Sequence, residues 1–521
     1  MERVAPPRSR YRPIVTPTAA WGAAGASGTT HTLAPLAMSV PRSSRVLVVL
    51  ATVLSLVAAG CSSDPKVTSG STTTAAGGAE GTTAGNGAGQ AGKGCATPSK
   101  PDTMTAEAKE LAPGGDGQPR VQAVVYPHPD YPGKLWTQWG QGVVLPDGRF
   151  FSAIGDECGV NGNSYFYEFS PDTGRLRLLS DVDSAVGQRD GAWGYGKVHA
   201  QLGIGPDNQI YAATYWGSSR GITYGNGYEG DLLLRIDPEN GAVTRLAVPV
   251  AKHGIPSMTT WTAGGLLYGE APDPLAAQAA DAAATKEEKK AKKARSDTDT
   301  DAAELSAAGD AKAKPGTFFV YDIKAGKVVF TDDEAHVGYR NVAVGPKGVA
   351  YFSAGAGQLK RYDPAANRLD TLPAKLPGAY MRASTRPARD GTIYGVTRSP
   401  DRFFALRADG TIDDLGPARG YTTSMALDPA GDAFYYVPDA HGASWQQGAP
   451  LIRVDTKTGD QREIVKLNDL AVKQFQLRLG GTYNVAIDRS GERVYIGFNA
   501  GAPTAEDAFG SVVLVVVELP D

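Results

Sequence analysis

Residues 202–215 read LGIGPDNQIYAATY and residues 232–248 read LLLRIDPENGAVTRLAV. Each phrase is a pair of short apolar runs around a tight turn. Pro206 presets φ, Asp207 can bond nearby backbone, and Asn208 tolerates the left-handed region. Asp237-Pro238 and Gly241 do the same work in the second phrase. Four strands therefore follow one another with no helical pattern between them, which disfavours a parallel sheet.

Working outward, the pair of phrases recurs. VVLPDGRFFSAIG (143–155) precedes YFYEFSPDTGRLRLL (165–179), and VAVGPKGVAYFSAG (342–355) precedes QLKRYDPAANRLDTL (358–372). STRPARDGTIYGVT precedes RFFALRADGTIDDL, MALDPAGDAFYYVP precedes LIRVDTKTGDQREIV, and NVAIDRSGERVYIGF precedes SVVLVVVEL. A weaker unit opens with MTTWTAGGLLYGEA and resumes after an insertion with FFVYDIKAGKVVF. Seven units of four short strands predict an all-β, seven-bladed β-propeller; six blades is the alternative count. One blade cannot bury both faces alone, whereas neighbours in a ring can. The last unit shows only three strands, so RVQAVVYP (120–127) is expected to supply its outer strand and close the ring.

The insertion, residues 271–315, is rich in Ala and in charges of both signs and lacks an apolar face. It reads as a solvated loop insertion. The whole chain has 521 residues, a net charge of -3 and 41% hydrophobic residues. That balance suits a globular protein and gives no electrostatic footing for nucleic acid.

The N-terminus reads as an address. Val46–Ala59 is an apolar run behind Arg42 and Arg45, short for a membrane span and right for a signal peptide. It ends in Ala58-Ala59-Gly60-Cys61, which resembles a bacterial lipobox. The resemblance implies acylation of Cys61 (palmitate-type chains) and anchoring at the outer face of the bacterial cytoplasmic membrane. An ordinary signal peptide that leaves Cys61 a free thiol is the competing reading. Residues 38–60 form the signal, with Met38 read as the start of translation and 1–37 as an upstream extension. Residues 61–95 form a flexible Gly/Ser/Thr/Ala tether, and 96–521 the propeller. An oxidising compartment makes Cys95 and Cys158 a candidate disulfide, against two unpaired thiols.

Residues 118–521 resemble bacterial extracytoplasmic seven-bladed propellers of the NHL, YVTN and virginiamycin-B-lyase-like group. The resemblance rests on the repeat rhythm and the PDG…Y…DPxxG phrases. It implies the fold; its members include lactonases, lyases and pure binding proteins, so it selects no single function.

Alignment of the turns through Pro146, Pro206 and Pro346 puts Trp139, His199 and Tyr339 in equivalent positions. Blades five, six and seven contribute Arg382, Thr422 beside Tyr421, and Thr482 beside Tyr483. All precede an innermost strand, at one mouth of the central channel. His253 and His336 map to the same face, as do the loop residues Asp156, Glu157, Tyr215, Trp216, Glu270 and His441. A ligand-binding mouth would stack a sugar-like ring on Trp139, Tyr339 and Trp216. Arg382 or Lys197 would hold a carboxylate, with Gln201, His253, His336, Tyr421 and Tyr483 around the rim. An enzyme reading, lyase or lactonase, would use His199 or Tyr339 for proton exchange and Arg382 for oxyanion charge. The same residues also fit a plain polar loop surface; a protein-interaction scaffold in the cell envelope, its partner docked on the outer blade edges, is a further alternative. No cofactor motif appears: there is no GxSxG, P-loop or CxxC pair. A divalent metal on His199, His253 and His336 is the remaining alternative.

Overall fold

The computed structural model describes residues 104–131, 135–187, 190–216, 227–273, 316–333, 341–505 and 508–520. All belong to the unit Gly85–Asp521. Cys61, Cys95, the signal peptide, the tether, His336, Tyr339 and residues 274–315 lie outside the described residues.

Seven antiparallel sheets follow in chain order, one per repeat unit. Blade two is typical: Gly203–Ile204, Ile210–Ala213, Leu233–Ile236 and Val243–Ala247 run from the innermost strand outward. Its first turn has the geometry its residues demand. Asn208 adopts φ 59°, while Gly205 N donates to Gln209 O at 2.9 Å. In blade one the same place is taken by Gly148, at φ 89°. Blade three bounds the segment read as an insertion. Its second strand, Leu266–Pro272, includes Ala271 and Pro272, and its third begins at Gly316. The inserted segment therefore starts beyond Pro272.

Ring closure uses the expected strand and two more. Gln118–Val125 pairs antiparallel with Ser511–Glu518, the last strand of blade seven. Lys109–Gly115 adds a fifth strand outside it. Thr105–Glu107 then crosses to pair with Arg175–Asp181 of blade one. One N-terminal segment thus bridges the last blade and the first, pairing with the outer strand of each. The bridge is apolar on both faces. Val121 and Ala123 pack with Val494, Val515 and Val517, whereas Val124 and Tyr126 pack with Trp136, Tyr495 and Leu514.

The core lies between blades rather than within one centre. Phe150 of blade one stacks on Tyr495 of blade seven at 5.1 Å, and Phe318 of blade three stacks on Phe352 of blade four at 4.4 Å. Large aromatic faces fill the wedge between twisted sheets and favour such offset contacts. What remains at the axis is a narrow channel lined by the first strand of each blade.

Candidate functional site

Residues just before or within the innermost strands converge at one end of this channel; Arg382 and Tyr483, expected ahead of their strands, lie inside Tyr380–Ser384 and Arg478–Ile487 because pairing in those blades extends further toward the mouth. They line one small, half-open cavity. All seven blades contribute. Blade one supplies Trp139 and Gln141; blade two supplies His199 and Gln201. Blade three adds Pro256 and Ser257, and blade four Asn341. Arg382, Thr423 and Tyr483 come from blades five, six and seven.

One side of the cavity is aromatic. The Trp139 ring lies 4.7 Å from Tyr483, and it is nearly parallel to His199 at 6.4 Å. His441 approaches Trp139 at 5.4 Å, and Phe509 stacks on it at 5.9 Å. Lys197 Nζ sits 4.5 Å from the Trp139 ring centroid, an ammonium on an aromatic face.

Glu157 fixes this wall. It occupies the left-handed region, φ 59°, and its amide donates to Gly196 O at 3.0 Å. Its carboxylate accepts from Thr137 Oγ1 at 2.6 Å and from the Trp139 indole N–H. Lys197 Nζ pairs with it at 3.3 Å. Burial raises the Glu157 carboxyl above its usual range, and Lys197 offsets only part of that rise. The next residue, Cys158, is fully buried and disulfide-bonded; its partner lies outside the described residues. Asp156, on the other side, accepts from the Cys158 and Asn163 amides and from the Tyr131 hydroxyl. Burial nevertheless pushes its carboxyl up to about 7.

His199 is 6% exposed, and its Nδ1 lies 2.8 Å from the Pro256 carbonyl oxygen. A carbonyl only accepts, so Nδ1 carries the proton, and Nε2 is the acceptor of the neutral ring. Across the cavity Arg382 is 2% exposed. Its Nε donates to the Tyr421 hydroxyl at 2.8 Å, and its guanidinium lies 5.5 Å from the Tyr483 ring. Arg398 covers the Tyr421 ring at 4.1 Å.

Of the residues singled out from sequence, Trp139, His199, Gln201, Arg382 and Tyr483 line the cavity. Lys197 and Tyr421 touch it through Trp139 and Arg382. Trp216 does not line it. Its ring is buried, stacked on Tyr215 at 4.2 Å and pressed against Gly254, so Tyr215 rather than Trp216 stands beside His199. His253 is also turned elsewhere: its Nδ1 lies 2.7 Å from the carbonyl of Ala251 in its own loop. Among the described residues no group of three or more His, Cys, Asp or Glu is placed to hold a metal. Sequence reasoning missed Gln141, Asn341 and Phe509. The first two stand two residues past Trp139 and Tyr339, in the same alternation. Phe509 sits in the loop between the second and third strands of blade seven, the loop that carries Asp156 and Glu157 in blade one.

No protein-family model and no curated protein matches the chain. Solved structures do. A structure of U3-55K is 11% identical over 75% of this chain and 98% of its own, with a TM-score of 0.44. The WD40 repeats of RRP9 are 10% identical over 79% of this chain and 100% of theirs, again at 0.44. Virginiamycin B lyase from Staphylococcus aureus is 11% identical over 80% of this chain and 99% of its own, at 0.42.

Proposed function

We propose that this propeller is a ligand-binding module that takes a small molecule or carbohydrate at one mouth of its channel. The observation that carries the reading is the convergence of all seven blades on one cavity with an aromatic wall and a buried guanidinium. A ring placed only to close the axis needs no such chemistry. Planar aromatics beside a fixed cation suit a flat or ring-shaped ligand bearing negative charge. The wall is preorganised, because Glu157 holds both Trp139 and Lys197, so less side-chain freedom is lost on binding.

The module works outside the cytoplasm in this reading, tethered through an acylated Cys61 to the outer face of the cytoplasmic membrane. The disulfide at Cys158 supports an oxidising compartment.

The test is a thermal-shift screen of the full-length protein against uronic acids, neutral oligosaccharides, lactones and divalent cations, followed by calorimetry on the hits. Trp139→Ala, His199→Ala and Arg382→Ala should each weaken a bound ligand tenfold or more. Turnover of a lactone or polysaccharide that disappears with His199→Ala would convert the binding module into an enzyme. A ligand whose affinity ignores all three substitutions would move function away from this mouth.

A further inference from the structure

Beneath the rim lies a second layer. Two residues past the rim position, the blades carry Gln141, Gln201, Thr259, Asn341, Ser384, Ser424 and Asn484. Every blade contributes one, and every one is an uncharged hydrogen-bonding side chain. Strand propensity alone would favour Val, Ile and aromatic residues here.

The layer is wired around the axis. Gln201 Nε2 donates to Gln141 Oε1 at 3.2 Å, and Gln141 Nε2 donates to the Val485 carbonyl at 2.9 Å. Thr259 Oγ1 reaches Gln201 Oε1 at 3.4 Å and the Val342 carbonyl at 2.6 Å. Asn341 Nδ2 donates to Ser384 Oγ at 3.0 Å. Each carboxamide has two N–H donors and an oxygen with two lone pairs. Among the described residues these bonds engage one donor of each of the three amides that line the cavity, Gln141, Gln201 and Asn341. The floor therefore presents hydrogen-bond donors and acceptors without net charge. A ligand hydroxyl, itself both donor and acceptor, matches such an array. An apolar face would leave the amides unpaired, and a buried charge would meet no opposite charge there.

We propose that this layer is the specificity floor of the site. The ligand is a hydroxylated ring acid, its hydroxyls on Gln141, Gln201 and Asn341 and its carboxylate at the level of Arg382. This rests on the ligand-binding reading above and names its ligand class. Three probes separate the parts: glucuronate has ring, hydroxyls and carboxylate; glucose lacks the carboxylate; benzoate lacks the hydroxyls.

Calorimetry on the full-length protein should find glucuronate bound at least tenfold more tightly than either partial probe. Gln201→Met keeps the volume and removes the amide. It should weaken glucuronate at least tenfold and leave benzoate within twofold. Gln201→Glu, nearly isosteric, should also weaken glucuronate, and serves should the methionine variant fail to fold. Arg382→Met should weaken glucuronate and benzoate alike. Glucuronate binding that falls with Arg382→Met and Trp139→Ala but ignores both Gln201 substitutions overturns the floor and leaves the ligand-binding reading standing. Failure of the wild-type protein to bind glucuronate overturns the ligand class; the wider screen then decides the reading itself.

Discussion

The strand that closes the ring should be worth more than its single ladder of hydrogen bonds. Val121 is fully buried between blade seven's own strands and the packing from blade six, while Val124, three residues on, is 1% exposed on the opposite face. Truncating Val121 to alanine removes two carbons, about 1.6 kcal/mol of transfer free energy at about 0.8 per methylene. The residual cavity adds roughly 1 kcal/mol, because a sheet clamped on both sides relaxes little. The expected cost is thus about 2–3 kcal/mol, and Val124→Ala should cost a similar amount. Val329, 37% exposed on the outermost strand of blade three, is the control: its truncation should stay within about 0.5 kcal/mol. Urea denaturation of the three variants, with slopes compared to exclude a change in the unfolded state, measures each value. A Val121→Ala variant no less stable than Val329→Ala would show that residues 118–125 merely decorate blade seven, and the closure argument would fail.

Three other expectations follow from the same contacts. Burial pushes Asp156 up to about 7 from 3.8, so the folded chain keeps a proton that the unfolded chain has lost. Its contribution is full below pH 4 and is lost as pH rises through 7, a swing of up to about 4 kcal/mol. Asp156→Asn should flatten the dependence of urea stability on pH between 4 and 8, and an unchanged slope would refute the assignment. Gly254→Ala would put a methyl 1.7 Å from the buried Trp216 ring; calorimetric melting should show a loss of about 1–3 kcal/mol or more, and wild-type stability would mean that the ring is loosely held. Cys61→Ser should move the protein from the membrane fraction to the soluble fraction on cell fractionation, and retention in the membrane would remove the proposed anchor.

Much of the architecture was legible because its signals are local. A turn such as Pro206-Asp207-Asn208 between alternating strands states its conformation within a few residues, and seven copies state the ring. The outer strand Lys109–Gly115 was not legible. KELAPGG has no alternation and carries Pro113, Gly114 and Gly115; its extended state is imposed by pairing with Gln118–Val125. Edge positions tolerate such sequences because half their backbone groups need no ladder partner.

The site divides along the same physical line. At a propeller axis, separate stretches arrive in one register, so a residue's neighbours in space are its counterparts in the repeat. Trp139, His199, Arg382 and Tyr483 could therefore be gathered by aligning turns, and the amide layer stood two residues further along the same alternation. Loops between second and third strands obey no such rule. Trp216 points where Gly254, from the connection into blade three, leaves room for an indole, and the His253 ring follows the carbonyl of Ala251. Phe509 reaches Trp139 from the corresponding loop of blade seven. Side-chain direction there is set by contacts remote in sequence, so repeat arithmetic recovers the channel wall and loses the rim. A ligand specificity built on the wall should accordingly survive changes in loop sequence that leave the seven turns intact, whereas one built on the rim should not. Replacing Phe509 by alanine against Gln201 by methionine puts those two dependences in direct comparison.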